Sequence, residues 1–148
     1  MCGRRTAARA WPPPTWTPHS PRSAEPAERR LEQGVGVEAG LVSANAAGVL
    51  VQSGLGVACL RVLLEPQEPD PAAAHQTVTE IETVLAAAGL EAPRLLHGTG
   101  PSAWPLLAAA HRRGYDSRIG LEDTLALPDG RTARDNADLV SAAVALLR

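Results

Sequence analysis

From Leu31 onward the apolar positions switch repeatedly between a strand period and a helical one. Val35, Val37, Ala39 and Leu41 fall on one side of an alternating stretch and Gly36, Glu38 and Gly40 on the other, which predicts a strand over Val35–Leu41. Ser43 is placed to cap a helix running to about Ser53, with Gly54 as its stop. Cys59–Glu65 (CLRVLLE) is an apolar run of strand length ended by Pro66. Asp70 followed by Pro71 reads as a cap with proline at the first helical position, and Val78, Ile81, Val84, Leu85 and Ala88 then form one apolar helix face that Gly89 ends. Arg94–Gly98 is a short third strand. Ser102 is placed to cap a helix over Ala103–Arg113, stopped by Gly114, and Ser117–Leu121 is a fourth strand. Pro128-Asp129-Gly130 signals a turn, and Asp135 caps a last helix with Leu139, Val140, Ala143, Val144 and Leu147 on its buried face.

The order is β-α repeated four times. Strands alternating with helices predict a parallel sheet with right-handed crossovers. Two α/β architectures fit: four βα repeats of a TIM-type barrel, or a small open sheet. Residues 1–30 differ in character. Pro12, Pro13 and Pro14 run together, Pro18, Pro21 and Pro26 follow, and no apolar period survives. Such a segment cannot bury enough apolar area to offset its ordering entropy, and loose polyproline-like chain is expected there. The change to regular pattern near Glu28–Gln33 is abrupt. A shifted reading frame or a misplaced start codon would produce it, and the upstream DNA in the other frames tests that expectation.

Composition narrows the function classes. The chain has 148 residues and a net charge of −2, which gives no bulk electrostatic reason for a nucleic-acid or acidic-membrane partner. All 14 cationic side chains are arginine, in an alanine-rich chain without phenylalanine, as GC-rich coding would give. No apolar stretch reaches the ~18 residues of a membrane span, and the basic N-terminus lacks the apolar core of a secretory signal. A cytoplasmic location is therefore expected. Cys2 and Cys59 form no disulfide framework, and Cys59 reads as a small buried thiol.

In parallel α/β folds functional groups gather at the C-terminal ends of the strands. Glu38 lies on the minority face of the first strand, Glu65 ends the second, and His97 ends the third ahead of Gly98-Thr99-Gly100. Arg118, Glu122 and Asp123 lie along and just past the fourth. Strand alternation puts Arg118, Gly120 and Glu122 on one face, with Ile119 and Leu121 toward the helices. An arginine and a carboxylate on an inner face are costly unless they pair or bind a ligand. A buried ion pair closing the rim satisfies that condition. So does a carboxylate metal ligand beside a cation that holds a substrate carboxylate.

The stretch from Arg118 to Arg148 resembles the C-terminal signature of the β-keto acid cleavage enzymes, the family of the 3-keto-5-aminohexanoate cleavage enzyme. Arg118, Gly120, Leu121, Glu122 and Asp123 match its Arg-x-Gly-Leu-Glu-Asp block, and Asn136, Ala137, Leu139 and Val140 match the following Asn-Ala-x-Leu-Val. The resemblance extends more loosely over Leu31 to Arg148. It implies a metal-dependent (β/α)₈ barrel, commonly zinc-dependent and oligomeric. Its reaction takes a β-keto acid and acetyl-CoA to acetoacetate and a new acyl-CoA. It further implies Glu122 as the metal-binding carboxylate and Arg118 with Asp123 as the catalytic pair. Glu38, Glu65, His97, Gly98 and Gly100 are expected around the substrate.

The same resemblance shows what is missing. Its early His-x-His metal ligands have no counterpart, since the four histidines here are His19, His75, His97 and His111. A full barrel takes about 250 residues, so the chain corresponds to strands five to eight. A half-barrel is expected to pair with a second copy or with a separate N-terminal half. Three functions follow as expectations: an enzyme fragment active when completed, a non-catalytic remnant or oligomerising module, or a small ligand-binding domain using the Gly98–Gly100 loop for a phosphate.

Overall fold

A computed structural model describes residues 25–148. Most of the segment expected to be loose, together with Trp11, Trp16, Cys2 and His19, lies outside the described residues. Its end does not follow the expectation: residues 25–30 begin helix α1 (Glu25–Glu32). Arg29 and Arg30 fall in the last turn of that helix, where cations complement the helix dipole.

Among the described residues one parallel sheet forms in the order β1 (Glu38–Leu41), β2 (Arg61–Leu64), β3 (Arg94–Leu96). Glu38 pairs with Arg61 and Leu41 with Leu64, while Leu64 pairs onward with Leu96. The connecting helices are α2 (Ala44–Ser53), α3 (Pro71–Ala87), α4 (Ala103–Arg113) and, at the end, α5 (Asn136–Leu146). Local chemistry sets their limits. Ser43 Oγ accepts from Ala46 N–H at 3.3 Å, Asp70 from Ala73 N–H at 2.8 Å, and Asp135 from Asp138 N–H at 3.0 Å. Gly54 and Gly114 close α2 and α4 in the left-handed conformation at φ 70° and 69°. Ser102 is not the expected side-chain cap, because its hydroxyl donates to Thr99 O at 2.8 Å instead.

One face of the sheet packs on the helices. Leu41, Val62, Leu64 and Leu96 meet Ala74, Val78, Ile81, Leu85 and Leu106 in a single buried cluster. Full burial of each large side chain contributes roughly 1.5–3 kcal/mol. The opposite face is layered. At the N-terminal end of the strands Arg61 bridges Glu38 at 2.6 Å and Asp116 at 3.2 Å. Leu63 and Leu95 follow, and Glu65 and His97 stand at the C-terminal end.

The expected fourth strand is reduced to one bridge, Asp116 beside Leu95. The Ser117 hydroxyl donates to Leu96 O at 2.8 Å, taking an acceptor that a continued ladder would have used. The chain then leaves the sheet and turns at Leu121–Asp123, where Gly120 O accepts from Asp123 N–H and Thr124 N–H. Three strands and a bridge therefore stand where four strands were predicted. The molecule is a mixed α/β unit, and four complete βα repeats of a half-barrel are not what it forms. The shared strand face for Arg118, Gly120 and Glu122 disappears with the strand.

Candidate functional site

Glu65 follows β2 and His97 follows β3, so the parallel register sets them side by side at one end of the sheet. The His97 ring is the hub. Its Nε2 lies 3.1 Å from Glu65 Oε1 and its Nδ1 lies 3.3 Å from Asp123 Oδ1. The second approach lacks hydrogen-bond alignment, leaving Nδ1 buried without a hydrogen bond. Gly40 makes room below: a Cβ there would sit 2.8 Å from Glu65 Oε2. Sequence reasoning gave Gly40 no role beyond the minority face.

The turn after the bridge delivers the second carboxylate inward. Asp123 Oδ2 accepts from Gly120 N–H at 3.0 Å, and Gly100 N–H donates to Asp123 O at 2.7 Å. Asn136, at the first turn of α5, accepts from Leu121 N–H at 2.9 Å and so ties the last helix to the turn. Arg118 approaches Asp123 Oδ1 at 3.7 Å, with its side chain 46% exposed against 2% for Asp123. That spacing leaves the guanidinium free to hydrogen-bond an incoming anion.

The two acids are pushed in opposite directions. Burial raises the Asp123 carboxyl above its ordinary value, against the lowering fields of His97 and Arg118. The hydrogen bond from His97 lowers Glu65, against its own partial burial. Two carboxyl groups flanking one imidazole, one destabilised as an anion and one stabilised, form a site suited to proton transfer.

Four of the expected residues thus converge: Arg118, Asp123, Glu65 and His97. Glu122 is adjacent but exposed, and it folds back over Gly120 rather than joining the His97 cluster. Glu38 is not brought to the site. It lies at the N-terminal end of β1, roughly 10 Å of strand from the C-terminal end, and is paired with Arg61. Gly98 is buried, and a Cβ there would meet Leu106, Ser102 Oγ and Ser102 O at 2.7–2.9 Å, so its role is close packing under the loop. Gly100 supplies a left-handed turn at φ 54° and the N–H that holds Asp123 O. Among the described residues no three His, Cys, Asp or Glu side chains converge as a metal site.

Beside the cluster lies a cavity of about 540 Å³ between the start of α4 and the 121–126 loop, walled by Pro101, Trp104, Leu121 and Leu125, with Glu122 and Asp123 at its edge. Trp104 Nε1–H donates to Ala126 O at 2.7 Å and fixes the two walls. Trp104 and Leu125 were not singled out from sequence. The signal was present in the tryptophan, which lies in the first turn of the helix after His97.

The segment that builds this site is also the one that carries a family signature. Residues 47–148, well over half of the chain, match the model of the beta-keto acid cleavage enzyme family. The chain belongs to that family. The match takes in Glu65, His97, Arg118, Glu122 and Asp123, and leaves Glu38 outside. No curated protein matches the chain. No helix among the described residues is long and apolar enough to cross a membrane.

Proposed function

We propose that this member of the beta-keto acid cleavage enzyme family contributes half of a site that cleaves a β-keto acid with acetyl-CoA, releasing acetoacetate and a new acyl-CoA. The observation that carries the reading is the Glu65–His97–Asp123–Arg118 cluster at the C-terminal end of the sheet. Arg118 is the group for the substrate carboxylate, since it is half exposed and loosely held. Asp123 is the proton-handling group, since burial raises its carboxyl toward the range where it can both take and return a proton. The Gly120 and Gly100 N–H groups hold Asp123 in place, and Glu65 orients the His97 ring beside it.

Glu122 offers one carboxylate to a divalent metal, zinc by resemblance. The described residues do not complete a ligand set for it. The remaining ligands are assigned to a second polypeptide or a second copy. The incomplete set also favours a second reading, in which the chain keeps the family fold as a non-catalytic or oligomerising module.

Acetoacetate formation from acetyl-CoA and a β-keto acid separates the two readings, assayed for the chain alone and with added zinc. Where turnover is found, Arg118→Ala and Asp123→Asn abolish it while metal content stays unchanged, and Glu122→Ala removes metal and turnover together. Retention of both in Glu122→Ala refutes the ligand assignment. Absence of turnover and of keto-acid binding leaves the module reading standing.

A further inference from the structure

We infer that the cavity beside Glu122 and Asp123 receives the chain beyond the keto group of the substrate, and that it selects apolar chains over carboxylate-ended ones. The inference rests on the β-keto acid reading and goes beyond it by naming the chemical class of the variable group. The position of the cavity is the first argument. Asp123 belongs both to the lining of the cavity and to the reacting cluster, so a substrate whose keto acid end meets Arg118 and Asp123 extends its other end along Trp104.

The lining is the second argument. Pro101, Trp104, Leu121, Leu125 and Ala126 make a continuous apolar wall, and no basic side chain lines the cavity. A chain ending in a carboxylate would lose its hydration against this wall with no basic side chain to pair with it. Leu125 and Leu121 stand 60% and 38% exposed, and a bound alkyl or aryl chain would remove both from water. Rigidity is the third. Trp104 Nε1–H to Ala126 O at 2.7 Å and Gly100 N–H to Asp123 O at 2.7 Å tie the two walls to each other at a fixed spacing. At about 540 Å³ it lies within the range of small-molecule sites.

The indole N–H resonance of Trp104, assigned by its loss in Trp104→Phe, provides the readout in the full chain. The probes are acetoacetate, 3-oxohexanoate, 3-oxooctanoate, the carboxylate-ended 3-oxoadipate and the saturated acids hexanoate and octanoate. Affinity is expected to rise about two- to fourfold per added methylene from acetoacetate to 3-oxooctanoate. 3-Oxoadipate is expected to bind at least about tenfold more weakly than 3-oxohexanoate. Leu125→Asp, at an exposed position that does not threaten the fold, should erase the chain-length gain. Affinity independent of chain length, preference for 3-oxoadipate over 3-oxohexanoate, or no perturbation of Trp104 by any probe overturns the inference. Acetoacetate binding without a chain-length gain sinks the pocket and spares the keto acid reading. An equal gain for the saturated acids, with nothing added by the keto group, keeps the apolar pocket and sinks that reading.

Discussion

At the residue scale the site is governed by how differently two carboxyl groups are treated. Glu65 is lowered in the folded protein by the His97 hydrogen bond. A group lowered on folding adds stability above its unfolded value, about 4.3, that is lost as pH falls through the folded value. Glu65→Gln should therefore flatten the acid limb of stability below about pH 4, read by urea denaturation across pH 3–7. Asp123 is raised, so the sign reverses. Its contribution is intact below the unfolded value and is lost as pH rises through the folded one. Asp123→Asn is expected to be at least as stable as the parent protein at pH 8, with the advantage shrinking toward pH 4. A large loss of stability for Asp123→Asn at pH 8 would show that its ion pairs outweigh its burial.

At the element scale, caps and close approaches fix what the site stands on. The Asp135 side chain holds the start of α5, and Asn136 in the next position ties that helix to the 121–124 turn. Asp135→Ala should cost about 1 kcal/mol by thermal or urea unfolding. Gly98 lies where the His97 loop passes over Ser102 and Leu106, and two of the three nearest atoms to an added Cβ belong to Ser102. Gly98→Ala should cost about 1–3 kcal/mol, since backbone must shift to admit it. Helices α2 to α5 and their limits were legible in sequence because period and caps are local, whereas α1 begins in the segment expected to be loose. The fourth strand was not, because a side-chain hydroxyl and a Gly120-centred turn compete with the ladder for the same backbone groups.

At the scale of the whole molecule, apolar surface is left uncovered where a larger assembly would cover it. Val57 and Leu60, on the connection into β2, are 85% and 62% exposed, and among the described residues β1 pairs on one side only. The α5 face predicted to be buried is half covered: Leu139 and Ala143 are inside, while Val140 and Val144 are 50% and 49% exposed. An open strand edge and a bare helix face favour association. Concentration-dependent self-association is expected in sedimentation velocity. Val57→Asp should weaken it while changing the stability of the monomer by no more than about 0.5 kcal/mol. Unchanged association in Val57→Asp would place the contact elsewhere.

The sequence by itself determined the parallel β-α order, the helix limits and the acidic, basic and imidazole groups gathered at one end of the sheet. Each of these follows from periods, caps and alternation that act within a few residues. Only the tertiary structure decided that Asp123 and not Glu122 turns in toward His97, that Glu38 belongs to the far end in an ion pair with Arg61, and that Trp104 walls a cavity. Those outcomes depend on contacts between residues far apart in the chain, such as Gly100 with Asp123 and Leu121 with Asn136, which no local pattern encodes.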